Sequence, residues 1–347
     1  MCLNTWKQSI FVCIIILVTF QSHCSAQASR GNDTTYYIFF PESLLGRFYL
    51  SQKHTSFKIK SKDAKDLAYL PNTNLNLGIG ATWHNISLNL ALGFGFLNND
   101  DDKGKTKYID LQAHLFKPKW VTDFYGQFYK GYHLNPKGFA AKPGESYYYR
   151  PDINVTLIGI GQYYIFNSTR FSYRAALIQN EWQKKSAGTF LVGAEAFYGV
   201  LNGDSALVPK SIENQYPQKG IHRVDHLSVG PGAGYAYTFV IAHHIFLTGS
   251  LTGNLNLCYA NESDYDTHKN NFSLNVVPAV KAAAGYNSRN WIISVQYMGN
   301  ELPFKGATDE NKYSIQTGNY RFIISKRFVS GKKLQKTLDP LNSFLKE

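Results

Sequence analysis

Charge is scarce in this chain. Only 17% of its 347 residues are Asp, Glu, Lys or Arg, against roughly a quarter in an ordinary soluble domain. Methionine is nearly absent, at two residues. Cysteine is concentrated at the start, where Cys2, Cys13 and Cys24 leave only Cys258 further on. No apolar run beyond the N-terminus reaches the roughly 18 residues that a transmembrane helix needs, which excludes spanning by helices. Aromatics are plentiful instead. The 24 Tyr and 23 Phe favour strands over helices, and a hydrophobic content of 44% excludes a disordered chain.

The N-terminus has the form of an export signal: Lys7, an apolar stretch from Ile10 to Phe20, and small residues in Cys24-Ser25-Ala26. Cleavage near Ala26 removes three cysteines, so no intramolecular disulfide can form even in a compartment that permits one. The expected organisation is a signal over residues 1–26, a periplasmic segment over 27–46, a barrel domain over 47–329 and a periplasmic tail over 330–347. In that tail Leu334, Leu338, Leu341 and Leu345 recur at helical steps interrupted by Pro340.

Between signal and tail the pattern has period two. Leu75, Leu77, Ile79, Ala81 and Trp83 alternate with small or polar residues, and Ile86, Leu88, Leu90, Leu92 and Phe94 resume after His84-Asn85. A two-residue turn pairs Trp83 with Ile86 and Ile79 with Leu90, which places every apolar side chain on one face. Three further hairpins read alike: Ile153 to Ile165 with Phe171, Tyr173, Ala175 and Leu177; Tyr235 to Phe239 with Ile245, Leu247 and Leu251; and Val276 to Tyr286 with Trp291, Ile293, Val295 and Tyr297. Long polar loops are expected at 98–106, 135–150, 202–223, 260–271 and 300–312, alternating with short turns. Strands of about ten residues, aromatic residues at their ends (Trp83, Trp120, Tyr163, Trp182, Tyr286, Trp291) and this alternation of loops are the signature of a transmembrane barrel. The expected fold is therefore all-β, an antiparallel up-and-down transmembrane β-barrel of about 12–14 strands. The uncertain strand is Ser205 to Ile212, and an even count is expected for closure. A secreted β-sandwich shows the same alternation but has shorter strands and more charge.

Several segments carry a resemblance: Tyr69-Leu70-Pro71-Asn72, Gly131-Tyr132, Tyr148-Tyr149-Arg150-Pro151-Asp152, Phe166-Asn167, Phe171-Ser172-Tyr173-Arg174-Ala175-Ala176, and Gln183-Lys184-Lys185-Ser186-Ala187-Gly188-Thr189-Phe190. With these the chain resembles domain of unknown function family 4421, an uncharacterised Gram-negative family, over nearly all of the mature sequence. The resemblance implies an outer-membrane-type barrel and supplies no activity or catalytic residue.

Candidate chemistry is thin. His222, Asp225 and His226 lie where a loop enters a strand, the rim at which a lipid-modifying hydrolase or acyltransferase would place its residues. No Gly-x-Ser-x-Gly element accompanies them. His243-His244 falls in a turn, and adjacent histidines on a strand point apart. Asp100, Asp101 and Asp102 could hold a divalent cation, but Gly104 is one position late for an EF-hand loop. No cofactor is implied. The net charge of +12 suits phosphorylated lipid headgroups, with no nucleic acid expected in an exported protein. Lys184 and Lys185, next to Trp182, suit headgroup contact; the preferred expectation is that they pair with Glu181 or Glu195, with Arg174 joining an ion network inside the barrel.

These features point to an integral outer-membrane barrel, acting as a pore, a conduit or a surface structural protein, in contact with outer-membrane lipid and lipopolysaccharide and inserted by the barrel assembly machinery. A lipid-modifying enzyme and a surface receptor or adhesin with long loops are the alternatives. Oligomeric state is not encoded legibly.

Overall fold

The computed structural model describes residues 31–40, 43–83, 86–94, 101–329 and 331. The signal segment, Asp100 and nearly all of the C-terminal tail lie outside the described residues. The strands belong to a unit spanning Asn32–Phe328. In chain order they are β1 (Tyr37–Phe39), β2 (Ser43–Lys60), β3 (Leu67–Leu70), β4 (Asn76–Trp83), β5 (Ile86–Gly93), β6 (Lys107–Phe116), β7 (Trp120–Asn135), β8 (Tyr149–Ile165), β9 (Glu181–Gln183), β10 (Ala187–Asn202), β11 (Arg223–Ile241), β12 (Ile245–Ser263), β13 (His268–Asn287), β14 (Trp291–Lys305) and β15 (Lys312–Val329).

Thirteen of these strands share one sheet, which closes on itself through ten: β2, β3, β7, β8, β10, β11, β12, β13, β14 and β15, the last returning to β2. The ring is antiparallel and even, as closure requires, but smaller than the 12–14 strands expected. The difference arises because β4, β5 and β6 are not members of the ring. β4 lies on the lower part of the β2 edge (residues 44–51), while β3 takes the upper part (57–59). On β7, β6 pairs with residues 121–130 and β3 with 133–135. A bulge between Lys130 and Tyr132 marks the change of partner. Gly131 sits there at φ +93°, a conformation that a side chain resists. The barrel is thus a ten-strand ring at the long-loop end, with three extra half-length strands wedged in at the short-turn end. Ser205 to Ile212 is no strand; residues 210–215 form a 3₁₀ turn.

The first hairpin pairs as its alternation dictates, Trp83 with Ile86, Ala81 with Leu88, Ile79 with Leu90 and Leu77 with Leu92. Its Ile79, Leu88, Leu90 and Leu92 are exposed on the outer face. The β11–β12 and β13–β14 hairpins also turn their apolar sets outward, including Tyr235, Phe239, Leu247, Leu251, Ile293 and Val295. Two expected loops are largely strand, since β12 and β13 run on to Ser263 and His268, and β14 to Lys305.

The 153–177 hairpin is overturned on two counts. Ile153, Val155, Leu157, Tyr163 and Ile165 are buried inside the barrel, while Ile158 and Ile160 face outward. The expected second arm is not a strand. Phe171 to Gln183 folds inward, with a π-helical turn over Arg174–Ile178, and β9 pairs with β1 rather than with the wall.

Two apolar clusters fill the interior. One occupies the long-loop half, built on Phe57, Tyr69, Tyr132, Ile153, Phe197 and Tyr313, and it is covered by Leu207, Val208, Tyr216 and Ile221 of the 203–222 loop. The other occupies the short-turn end and joins Phe116, Ile165, Leu191 and Phe246 of the wall to Phe171, Tyr173 and Leu177 of the inserted segment.

Candidate functional site

Between the clusters lies a polar layer, made by inward positions two residues away from apolar ones on the same strands. Asp123 of β7 is its centre. Its carboxylate accepts from His114 Nδ1 of β6 at 2.7 Å and from Lys281 Nζ of β13 at 2.6 Å. Beside it, Glu195 of β10 accepts from Tyr163 at 3.2 Å and from Asn256 at 3.1 Å, and Tyr163 also donates to Asn254 at 2.8 Å. Asp110 of β6 gathers Tyr129 at 2.6 Å and Gln127 at 3.1 Å, with Lys53 Nζ at 3.4 Å. Buried ions and amides of this kind persist only when partnered. The layer therefore ties β2, β6, β7, β8, β10, β12 and β13 together across the lumen.

The inserted segment is held as a plug by a second network. Arg174 Nε lies 3.4 Å from Glu181 Oε1, and Ser172 donates to Glu181 Oε2 at 2.5 Å. Arg327 of β15 donates to the carbonyls of Gln179 (2.7 Å) and Glu181 (3.1 Å) and to Asn287 (3.0 Å). Gln296 donates to the Ala176 carbonyl at 3.0 Å. Free carbonyls of an irregular turn need such donors once water is excluded. The expected internal pairing of Arg174 with Glu181 is present; Glu195 sits apart in the polar layer.

Gln183 locks the plug to its own base, accepting from the Ser172 amide at 3.0 Å and donating to the Arg170 carbonyl at 2.6 Å. The amide of Lys184 donates to the Tyr36 carbonyl at 2.7 Å, and the Lys185 ammonium stands over the Tyr36 ring at 5.6 Å. Neither lysine forms the expected ion pair with Glu181 or Glu195, because those carboxylates are committed inside. Ser186 accepts from the Val240 amide at 2.9 Å. Ala187 is buried at the start of β10, and a side chain at Gly188 would strike the rings of Tyr235 and Tyr237. Arg150 makes a bidentate pair with Asp152 at 2.6 and 2.8 Å and reaches the Ser205 and Ala206 carbonyls, anchoring the upper loop; Pro151 follows it in β8. The residues behind the family resemblance are thus fasteners of the two closures. Removing both charges in Lys184→Ala/Lys185→Ala is expected to change stability by no more than about 0.5 kcal/mol. Equilibrium unfolding in detergent checks this, and a larger loss would mean that a carboxylate does depend on them.

The other candidates disperse. Asp225 faces outward and pairs with Arg223 at 2.7 Å, whereas His226 faces inward, stacked on Phe304 at 4.0 Å. His222 stacks on Tyr265 at 4.7 Å. Adjacent strand positions on opposite faces cannot form a triad. His243 Nδ1 meets the Lys184 carbonyl at 3.0 Å, and His244 stacks on Trp182 and Tyr286. Asp102 accepts from Ser146 at 2.9 Å, Asp101 lies in the same 3₁₀ turn, and Asp100 is outside the described residues. Among the described residues no three His, Cys, Asp or Glu side chains are grouped as metal ligands.

Sequence reasoning missed the polar layer. Lys281 left a trace, as the single charge between Lys269 and Arg289 in an apolar strand. His114 and Asp123 left the spacing of a hairpin pair, since they face each other across the turn between β6 and β7.

Solved barrels resemble the chain at a distance. The outer-membrane protease OmpT from Escherichia coli is 11% identical, with 84% of this chain and 98% of that one covered at a TM-score of 0.37. The toluene transporter TodX of Pseudomonas putida is 9% identical (84% and 92% covered, TM-score 0.26). Neisserial surface protein A is 10% identical (79% and 96% covered, TM-score 0.23). None is close enough to lend this chain an activity, and no curated protein matches it. The family is clear: a profile described as Domain of unknown function (DUF4421) matches residues 31–328, and the chain belongs to that family.

Proposed function

We propose that the protein is an outer-membrane barrel whose lumen is sealed, a structural or surface-display protein and not an open pore. The observation that carries the reading is the double closure, with one apolar cluster under the 203–222 loop and another around the Phe171–Gln183 plug. The exterior supports the location. Leu227, Val229, Leu247, Leu251, Leu255, Leu257, Val276 and Ile293 form an exposed apolar belt, which is costly in water and favourable in lipid. Short turns then face the periplasm and the 136–148 and 203–222 loops face outward. The surroundings that follow are outer-membrane lipid and lipopolysaccharide, with insertion by the barrel assembly machinery. The dispersal of His222, Asp225 and His226 weighs against a lipid-modifying enzyme built on them.

Refolded protein in planar bilayers is expected to show no steady conductance, and to migrate on gels with heat-dependent mobility. A stable ohmic channel from the native chain would overturn the sealed reading. Recovery from the soluble periplasm with heat-independent mobility would overturn the membrane reading.

A further inference from the structure

The outer face of the wall changes character along one row of cross-strand neighbours. Lys107 of β6 faces Lys130 of β7, and Lys130 faces Asn154 of β8. Asn154 in turn faces Asn202 of β10, which faces Arg223 of β11. Nearer the short-turn end the same outward columns turn apolar, with Ile109 and Leu111 below Lys107, Phe128 below Lys130 and Ile158 below Asn154, all exposed. The stretch of β7 from Trp120 to Lys130 is as long as one tilted bilayer crossing, roughly 9–11 residues. The row therefore lies where the hydrocarbon ends on the long-loop side.

Lys107 and Lys130 are exposed like charges set directly opposite each other, an arrangement that costs stability unless an anion offsets it. Lys105, two residues before Lys107, adds a third exposed ammonium. Among the described residues none of the three forms an ion pair. At the long-loop ends of other strands Lys60, Lys305 and Arg223 are paired, with Glu301 at 3.7 Å, Asp309 at 2.8 Å and Asp225 at 2.7 Å. The backbone that carries Lys105 and Lys107 is pinned. The Tyr149 hydroxyl donates to the Lys105 carbonyl at 2.6 Å, Thr106 donates to the Gly131 carbonyl at 2.7 Å, and the Asn72 amide donates to the Gly104 carbonyl at 2.8 Å. A side chain at Gly131, next to Lys130, would strike the Lys105 carbonyl, so the two segments approach as closely as glycine permits. Three fixed, unneutralised ammoniums directly above an apolar column match a phosphate that carries acyl chains.

We propose that Lys105, Lys107 and Lys130 form a binding site for the phosphate of an outer-leaflet lipid, whose acyl chains lie along Ile109, Leu111 and Phe128. The site rests on the membrane-spanning reading and adds to it a fixed lipid position on the outside of the wall. It is compatible with a sealed lumen, because the ligand never enters the barrel.

The test uses the full refolded barrel in a non-ionic detergent, with binding of dilauroyl phosphatidic acid read by native mass spectrometry. Heat-dependent mobility is read on every sample, so loss of the barrel is separated from loss of the site. Dilauroylglycerol and inorganic phosphate are expected not to compete, since each lacks one half of the ligand. Lys107→Gln/Lys130→Gln should weaken binding about tenfold or more, the loss of two charge-assisted contacts. Without the lipid the same variant should unfold at no lower urea concentration than the parent, because it removes a like-charge pair; a purely structural role for the lysines predicts a loss instead. Lys305→Gln, which removes a charge already paired with Asp309, should bind like the parent. No binding by the parent, undiminished binding by the double variant with an intact barrel, equal weakening by Lys305→Gln, or equal competition by inorganic phosphate would overturn the site and leave the membrane reading standing. A parent chain that fails to insert into lipid vesicles would overturn both.

Discussion

Glu181→Ala is expected to destabilise the barrel by about 3–5 kcal/mol, the cost of stranding one member of a buried pair. Glu181 is the plug's only carboxylate, accepting from Ser172 and lying 3.4 Å from Arg174, and both side chains of the ion pair are about 5% exposed. Its loss takes the carboxylate from a buried guanidinium whose other neighbours include Asn180 Oδ1, at 3.3 Å, and the Phe39 ring, at 5.5 Å. The measurement is equilibrium unfolding by urea in detergent micelles, followed by tryptophan fluorescence. Arg174→Met/Glu181→Leu should recover much of the loss, since removing both charges removes the desolvation penalty with them. If the single variant unfolds at the same urea concentration as the parent, the plug is not held by this pair. A plug that loosens should also admit ions, so a flickering conductance absent from the parent is the companion expectation.

What was legible in the sequence followed from solvent chemistry on two faces. The 76–93 hairpin announces its register because Leu77, Ile79, Leu88 and Leu90 face lipid while Gly78, Gly80, Ser87 and Asn89 do not. β8 deceived for a physical reason. A filled barrel is apolar inside as well, so Ile153, Val155 and Leu157 read like a lipid face although they are core. Ring size was hidden because membership is decided by long-range pairing. β4 and β6 look like wall strands, and only the contact of β3 with both β2 and β7 removes them from the ring. Phe171-x-Tyr173-x-Ala175-x-Leu177 alternates convincingly over seven residues, but its partners are carbonyl-seeking side chains (Arg327, Gln296, Asn287) more than 100 residues away. No local pattern carries that. The same is true of Lys281, which reaches Asp123 from 158 residues away, whereas His114 faces Asp123 across their own hairpin.

Leu251→Arg is expected to block assembly or to lower stability by about 2–4 kcal/mol, the cost of a cation at the lipid midplane of a barrel. Leu251 lies near the middle of the transmembrane stretch of β12, 59% exposed, opposite Tyr235 on β11 and Val280 on β13, all on the outer face. In water an exposed leucine can become arginine at almost no cost, so the size of the penalty reports the solvent and not the contacts. Leu251→Ala is the control: it removes bulk without adding charge and should assemble normally. Folding yield into lipid vesicles, read by heat-dependent gel mobility, separates the two. The inward neighbours cannot serve as a substitute for this test, since Ser250 and Thr252 are buried, and Ser250 hydrogen-bonds the Tyr173 hydroxyl at 2.6 Å. Equal yields for Leu251→Arg, Leu251→Ala and the parent would mean that the belt from Leu227 to Ile293 faces something other than lipid. The apolar exterior of this barrel would then have to be covered by protein.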